Sequence, residues 1–129
     1  MKLTAKDLMI GDWVYRPDCY DKVVEIRKDT ILGSDPLRGL IPITDLQPIP
    51  LTAEVLEKNG IRNYSEISEY KVKTNEYEIW VIFDERQNCV HVEKFDKYIP
   101  SVYHNVISYV HELQHALRLC GIDDKEIVL

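Results

Sequence analysis

The chain is short of the residues from which nucleotide and redox sites are built. Its 129 residues include only five glycines. None falls in G-x-x-x-x-G-K-S/T, G-x-G-x-x-G or G-x-S-x-G, so a phosphate-cradling loop and a serine nucleophile elbow are both missing. Three cysteines, Cys19, Cys89 and Cys120, are odd in number and form no C-x-x-C pair. That spacing predicts reduced thiols in a cytoplasmic setting rather than a disulfide framework. No apolar run approaches the roughly 20 residues that cross a bilayer; the stretch from Ile79 to Phe83 is typical of what is present. The opening MKLTAKDLMIGDW has no apolar h-region, which predicts that the chain is not exported. Positive charge is also scarce: sixteen Lys and Arg face twenty-two Asp and Glu, a net charge of −6. Residues 1–50 hold seven cations against eight anions, and residues 51–129 nine against fourteen. Neither half clusters its cations as phosphate-backbone binding requires, so nucleic acid is disfavoured as a partner, as is a membrane.

What is present is a globular composition, 45% hydrophobic and 29% charged, sufficient for a core. The pattern divides into two halves. Trp13-Val14-Tyr15, Lys22 to Arg27, Thr30 to Gly33 and Leu40 to Ile43 read as short strands separated by turn residues. Pro42 places the last of them at an edge or bulge. Leu-x-x-Gly-Asp-Trp-Val from Leu8 to Val14 is similar to the first strand of small SH3-like barrels, and the expectation for residues 1–50 is such a barrel. Residues 51–61 carry helix punctuation: Thr52 as N-cap, Glu54 in the first turn, Gly60 as terminator. They are expected to be a connecting helix.

Residues 62–129 are expected to form a short antiparallel sheet and a C-terminal amphipathic helix, making the whole chain α+β. Tyr77 to Phe83 is apolar on both faces at its centre and predicts a central strand covered on both sides. Cys89 to Glu93 reads as a half-buried strand with His91 turned to solvent. Pro100-Ser101 is read as the start of a helix running from about Val102 to Cys120, closed by Gly121. On that helix Val102, Val106, Val110, Leu113, Leu117 and Cys120 form one stripe, and His104, His111 and His115 lie opposite. The charges at Glu66, Glu69, Lys71, Lys73, Glu76 and Glu78 read as a solvated sheet surface.

One stretch carries a chemical motif. His111-Glu112-Leu113-Gln114-His115 spells H-E-x-x-H, in which two histidines one turn apart ligate zinc and the glutamate activates bound water. The G-x-x-H continuation is missing, because positions 118 and 121 are Arg118 and Gly121. A third ligand would have to be His104, Asp123 or Asp124, or His91 from further upstream. Cys120 beside His115 and Glu112 suggests a nucleophile only until its place in the apolar stripe is considered.

Leu46 to Thr52, Glu54 to Ile61, Val110 to Gln114 and the Gly11-to-Val14 start resemble a group of small uncharacterised proteins of gut anaerobic bacteria, often associated with phage or mobile elements. The resemblance implies no assigned chemistry. It implies asparagine at position 115 in the relatives, which would make the second zinc ligand particular to this chain. The functional expectation is therefore a non-enzymatic cytoplasmic interaction or adaptor protein that needs no cofactor and binds a protein partner. Pro48-Ile49-Pro50 and an exposed strand edge are its candidate contact surfaces. The alternative is a minimal zinc-dependent hydrolase with His111 and His115 as ligands, Glu112 as general base, and His104, Asp123 or Asp124 as third ligand.

Overall fold

The computed structural model describes residues 2–64, 68–83, 88–123 and 125–129, with Pro36 described by its backbone alone. The structure is α+β, dominated by antiparallel sheet. No helix among the described residues is long and apolar enough to cross a membrane. The chain groups into two compact units: Met1–Pro50 with Tyr109–His111, and Leu51–Ser108 with Glu112–Leu129.

In the first unit, β1 (Trp13–Tyr15) pairs with β2 (Tyr20–Lys22) across a turn closed by the Arg16 N–H on the Cys19 carbonyl at 2.8 Å. A separate three-stranded sheet has the order β3 (Glu25–Ile26), β4 (Thr30–Leu32), β5 (Leu40–Pro42). The strand expected from Lys22 to Arg27 is thus broken, and the expected closed barrel is not found among the described residues. The break has a local cause. The Val23 amide bonds to the Asp12 carbonyl at 2.9 Å, whereas the next amide, Val24, bonds to Leu32 at 2.8 Å. Successive residues therefore serve different sheets. Val23 is buried and Val24 exposed accordingly. Pro42 lies on an edge strand, where its missing N–H breaks no ladder bond. The core of this unit gathers Leu3, Leu8, Val14, Val23, Ile31, Ile41, Ile43 and Leu46. Each such aliphatic chain, once buried, contributes about 1.5–3 kcal/mol.

In the Pro48-Ile49-Pro50 segment Pro50 is exposed and Pro48 half-buried. Ile49 is buried, its carbonyl accepts the Val110 N–H at 2.8 Å, and Pro50 forms a bridge with Tyr109.

The second unit begins with α1 (Ala53–Lys58). Thr52 Oγ1 accepts the Val55 N–H at 3.3 Å. At the other end Gly60, with φ +78°, lets Ile61 N–H reach the Leu56 carbonyl at 2.9 Å and bury its side chain. Five antiparallel strands follow, β6 (Arg62–Asn63), β7 (Glu69–Lys73), β8 (Tyr77–Phe83), β9 (Asn88–Lys94) and β10 (Ser101–Val106). Their order is β10-β9-β8-β7-β6, so β8 is central, but only one of its faces is closed. Ile79 and Val81 on β8, with Val90 and Val92 on β9, are fully buried on that face. Trp80, Ile82, Cys89 and His91 on the other are only half-buried.

The helix expected from Val102 to Cys120 is confined to α2 (Val110–Leu119), and its supposed first half is strand β10. Within the second unit α2 buries Leu113, Ala116 and Leu117, and Cys120 just past its end is buried too. It ends as α1 does, with Gly121 at φ +73° and the Ile122 N–H on the Leu117 carbonyl at 2.9 Å. The closing segment is fastened to α1 by Asn59, whose amide donates to the Val128 carbonyl at 2.7 Å and accepts the Val128 N–H at 2.8 Å.

Candidate functional site

The H-E-x-x-H residues are placed by the start of α2, and the placement decides what they do. His111 is 1% exposed, not on a wet face as the helical wheel expected. Its ring stacks on Tyr109, centroids 5.9 Å apart and planes 16° from parallel. Glu112 is the third residue of the helix, and its Oε1 accepts the Ser108 backbone N–H at 3.1 Å. This resembles a capping box displaced by one residue: the carboxylate holds the amide two residues before the helix and complements the positive end of its dipole. His115 is half-buried and belongs to the second unit, whereas His111 groups with the first.

Among the described residues the candidate third ligands form no metal-holding group with this pair. His104 lies on β10, in register with His91 of β9. Asp123 is exposed beyond the end of α2, and Asp124 lies outside the described residues. Among the described residues no group of three or more His, Cys, Asp or Glu side chains is arranged to hold a metal ion. Cys120 is buried, its Sγ 3.6 Å from the Val92 carbonyl, and burial pushes the thiol pKa up, away from nucleophile behaviour.

A different group of residues converges on the open face of the five-stranded sheet. Strand alternation sends Glu78, Trp80 and Ile82 to the face opposite Ile79 and Val81. Register then sets Trp80 opposite His91, and His91 opposite His104, giving a row across β8, β9 and β10. The two imidazoles meet edge to face, with centroids 5.7 Å apart and planes at 60°. Their closeness follows from the hydrogen-bond phase. Ile107 N–H bonds to Asn88 O at 2.9 Å, so two-residue alternation makes His104–His91 a non-hydrogen-bonded pair, the kind whose side chains approach most closely.

A recess of about 280 Å³ opens over this row, walled by Glu78, Trp80, Ile82, Cys89, His91 and His104. Its lining is mixed in character. Glu93 Oε2 lies 3.6 Å from His91 Nε2, and Lys71 Nζ is 3.1 Å from Glu78 Oε1 while sitting 5.8 Å from the Trp80 ring centre. The indole Nε1 of Trp80 is buried without a hydrogen-bond acceptor among the described residues. Chemically this is an aromatic and imidazole surface with acidic and basic flanks.

Neither Trp80 nor Cys89 stood out in the sequence as a site residue. The period-two spacing of Glu78, Trp80 and Ile82, and of Cys89, His91 and Glu93, was the available signal.

A buried anion lies elsewhere, in the first unit: Asp21 of β2 is 4% exposed. Its carboxylate accepts from Ser34 Oγ at 2.6 Å, Ser34 N at 2.9 Å, Lys22 N at 2.8 Å and Arg16 Nη1 at 3.3 Å. Burial raises its pKa, but the hydrogen bonds from Ser34, Lys22 and Arg16 outweigh that and hold it below the usual carboxylate value. Gly33 is fitted to the same knot: a Cβ there would stand 2.1 Å from Asp21 Oδ2. With every bond directed inward, Asp21 reads as a fastening and not as a ligand site. Compared with protein-family models, with curated proteins and with solved structures, the chain matches none of them.

Proposed function

We propose that the chain is a non-enzymatic cytoplasmic interaction protein whose contact surface is the open face of β8, β9 and β10. One observation carries the reading: the central strand of the sheet leaves Trp80, a half-buried aromatic with an unsatisfied buried N–H, beside His91 and His104 in a recess. Aromatic side chains in shallow recesses are the usual anchors of protein contacts, because they bury large area at small conformational cost. The occupant that suits this lining is a peptide segment presenting an apolar or aromatic side chain to Trp80, with polar neighbours facing Glu78 and Glu93. Free thiols at Cys19, Cys89 and Cys120 accord with a reducing compartment. The hydrolase alternative gains no support from the geometry, since Glu112 is engaged as a helix cap and His111 is enclosed.

A peptide library displayed on phage tests the proposal directly. Selection on the wild-type protein should enrich sequences with an aromatic or large aliphatic residue, and those sequences should lose binding to Trp80→Ala. Failure to enrich any sequence, or enriched peptides that bind Trp80→Ala equally well, would refute it.

A further inference from the structure

The outer edge of the sheet carries a second, separate feature. β10 is a six-residue edge strand with the burial of a surface loop: every residue but Tyr103 is exposed. Val102 is 54% exposed and Val106 43%, and Tyr98 and Ile99 just before the strand are more exposed still. Edge strands are normally protected by brevity, charge, proline or a bulge. The opposite edge of the same sheet, β6, is two residues long and carries Arg62. Ser101–Val106 contains no Asp, Glu, Lys, Arg or Pro, and its pairing with β9 runs without interruption.

The hydrogen-bond phase fixes which groups this edge offers. Ile107 N–H points to β9, so the backbones of Tyr103 and Asn105 also turn inward and those of Val102, His104 and Val106 turn outward. The Val106 N–H is meanwhile held by its neighbour Asn105 Oδ1 at 2.8 Å.

We infer that a second copy of this chain pairs antiparallel along β10, with the two-fold axis at His104. An isologous pairing requires each outward residue to face an outward residue. Centring on His104 sets it opposite itself and sets Val102 opposite Val106 of the second copy, twice over. The outward amides and carbonyls of all three residues are then used, with Val106 N–H exchanging its local bond for one to Val102 of the second copy. Centring on Val102 or Val106 would leave part of the edge unpaired. The side-chain match points to a second copy as the occupant: valine meets valine, and the strands meet without charge although each molecule carries −6. The row of Trp80, His91 and His104 would continue into its own image.

Sedimentation velocity from low micromolar to several hundred micromolar protein should show a concentration-dependent dimer. Two variants should weaken it on the order of tenfold or more. Val102→Lys places a charge opposite an apolar residue. His104→Pro removes only an outward N–H, so the ladder to β9 stays intact, which circular dichroism verifies. Under mild oxidation His104→Cys should cross-link to its own copy, the two positions facing each other at roughly 5.5 Å between Cα atoms, while wild type does not. A wild-type protein that stays monomeric throughout, or a dimer indifferent to both weakening variants, overturns the inference; a dimer without the cross-link overturns its register. Trp80→Ala should leave the dimer unchanged, so failure here is distinguishable from failure of the peptide-binding proposal.

Discussion

At the scale of single residues, Asp21 shows how a charge is kept inside. Burial opposes the carboxylate, and it persists because the Ser34 hydroxyl and amide, the Lys22 amide and Arg16 all donate to it. Asp21→Ala removes the common acceptor of these part-buried hydrogen bonds, a loss of about 1–3 kcal/mol. Urea titration at neutral pH should show it as an earlier midpoint. The pH dependence follows from the direction of the shift. A carboxyl whose pKa is lower folded than unfolded stabilises the fold above its unfolded value and loses that contribution as pH falls through its folded value. The gap between wild type and Asp21→Ala should therefore narrow on acidification; a gap that widens would refute this account. None of it was visible in the sequence. Ser34 lies thirteen positions from Asp21, and an aspartate fastened by a distant turn looks like any solvated one until the turn is in place.

At the scale of elements, the legible features were those determined by neighbours along the chain. Thr52 and Gly60 bound α1 and Gly121 ends α2, because caps and left-handed terminators act within a few residues. In β10 the local spacing runs against the structure: Val102, Val106 and Val110 are spaced for a helix face. The contrary period-two signal was absent because the strand is exposed on both faces and shows no alternation of apolar and polar residues. Helical spacing sets His104 with His111 and His115, whereas its neighbour is His91, thirteen residues away and joined only by strand register. The role of Glu112 depends on the same helix boundary. At the third position of a ten-residue helix it lies where a carboxylate caps, and an H-E-x-x-H at a helix start is ambiguous between catalytic and capping use. Glu112→Gln retains an acceptor and should cost little; Glu112→Ala should lower stability by about 1 kcal/mol. Equal effects from the two substitutions in thermal denaturation would argue against the cap.

At the scale of the whole molecule, the α+β class was legible from composition and periodicity, while sheet membership was not, since a switch as local as Val23 to Val24 reassigns a strand. Charge acts at this scale as well. Two copies at −6 each repel, and salt screens that repulsion over about 10 Å at 0.1 M ionic strength. Dimerisation through an uncharged edge should therefore strengthen as sodium chloride rises from a low-salt buffer, measured by sedimentation equilibrium; weakening with salt would mean that ion pairs hold the copies together.

The return of Tyr109–His111 to the first unit has a consequence for how the molecule is made. On the ribosome the first fifty residues emerge before the Val110 amide that bonds to Ile49 and the Tyr109 bridge to Pro50, which arrive only after Leu51–Ser108 of the second unit. The first unit is thus begun first and completed late, and a fragment cut at Pro50 lacks its own last stitches.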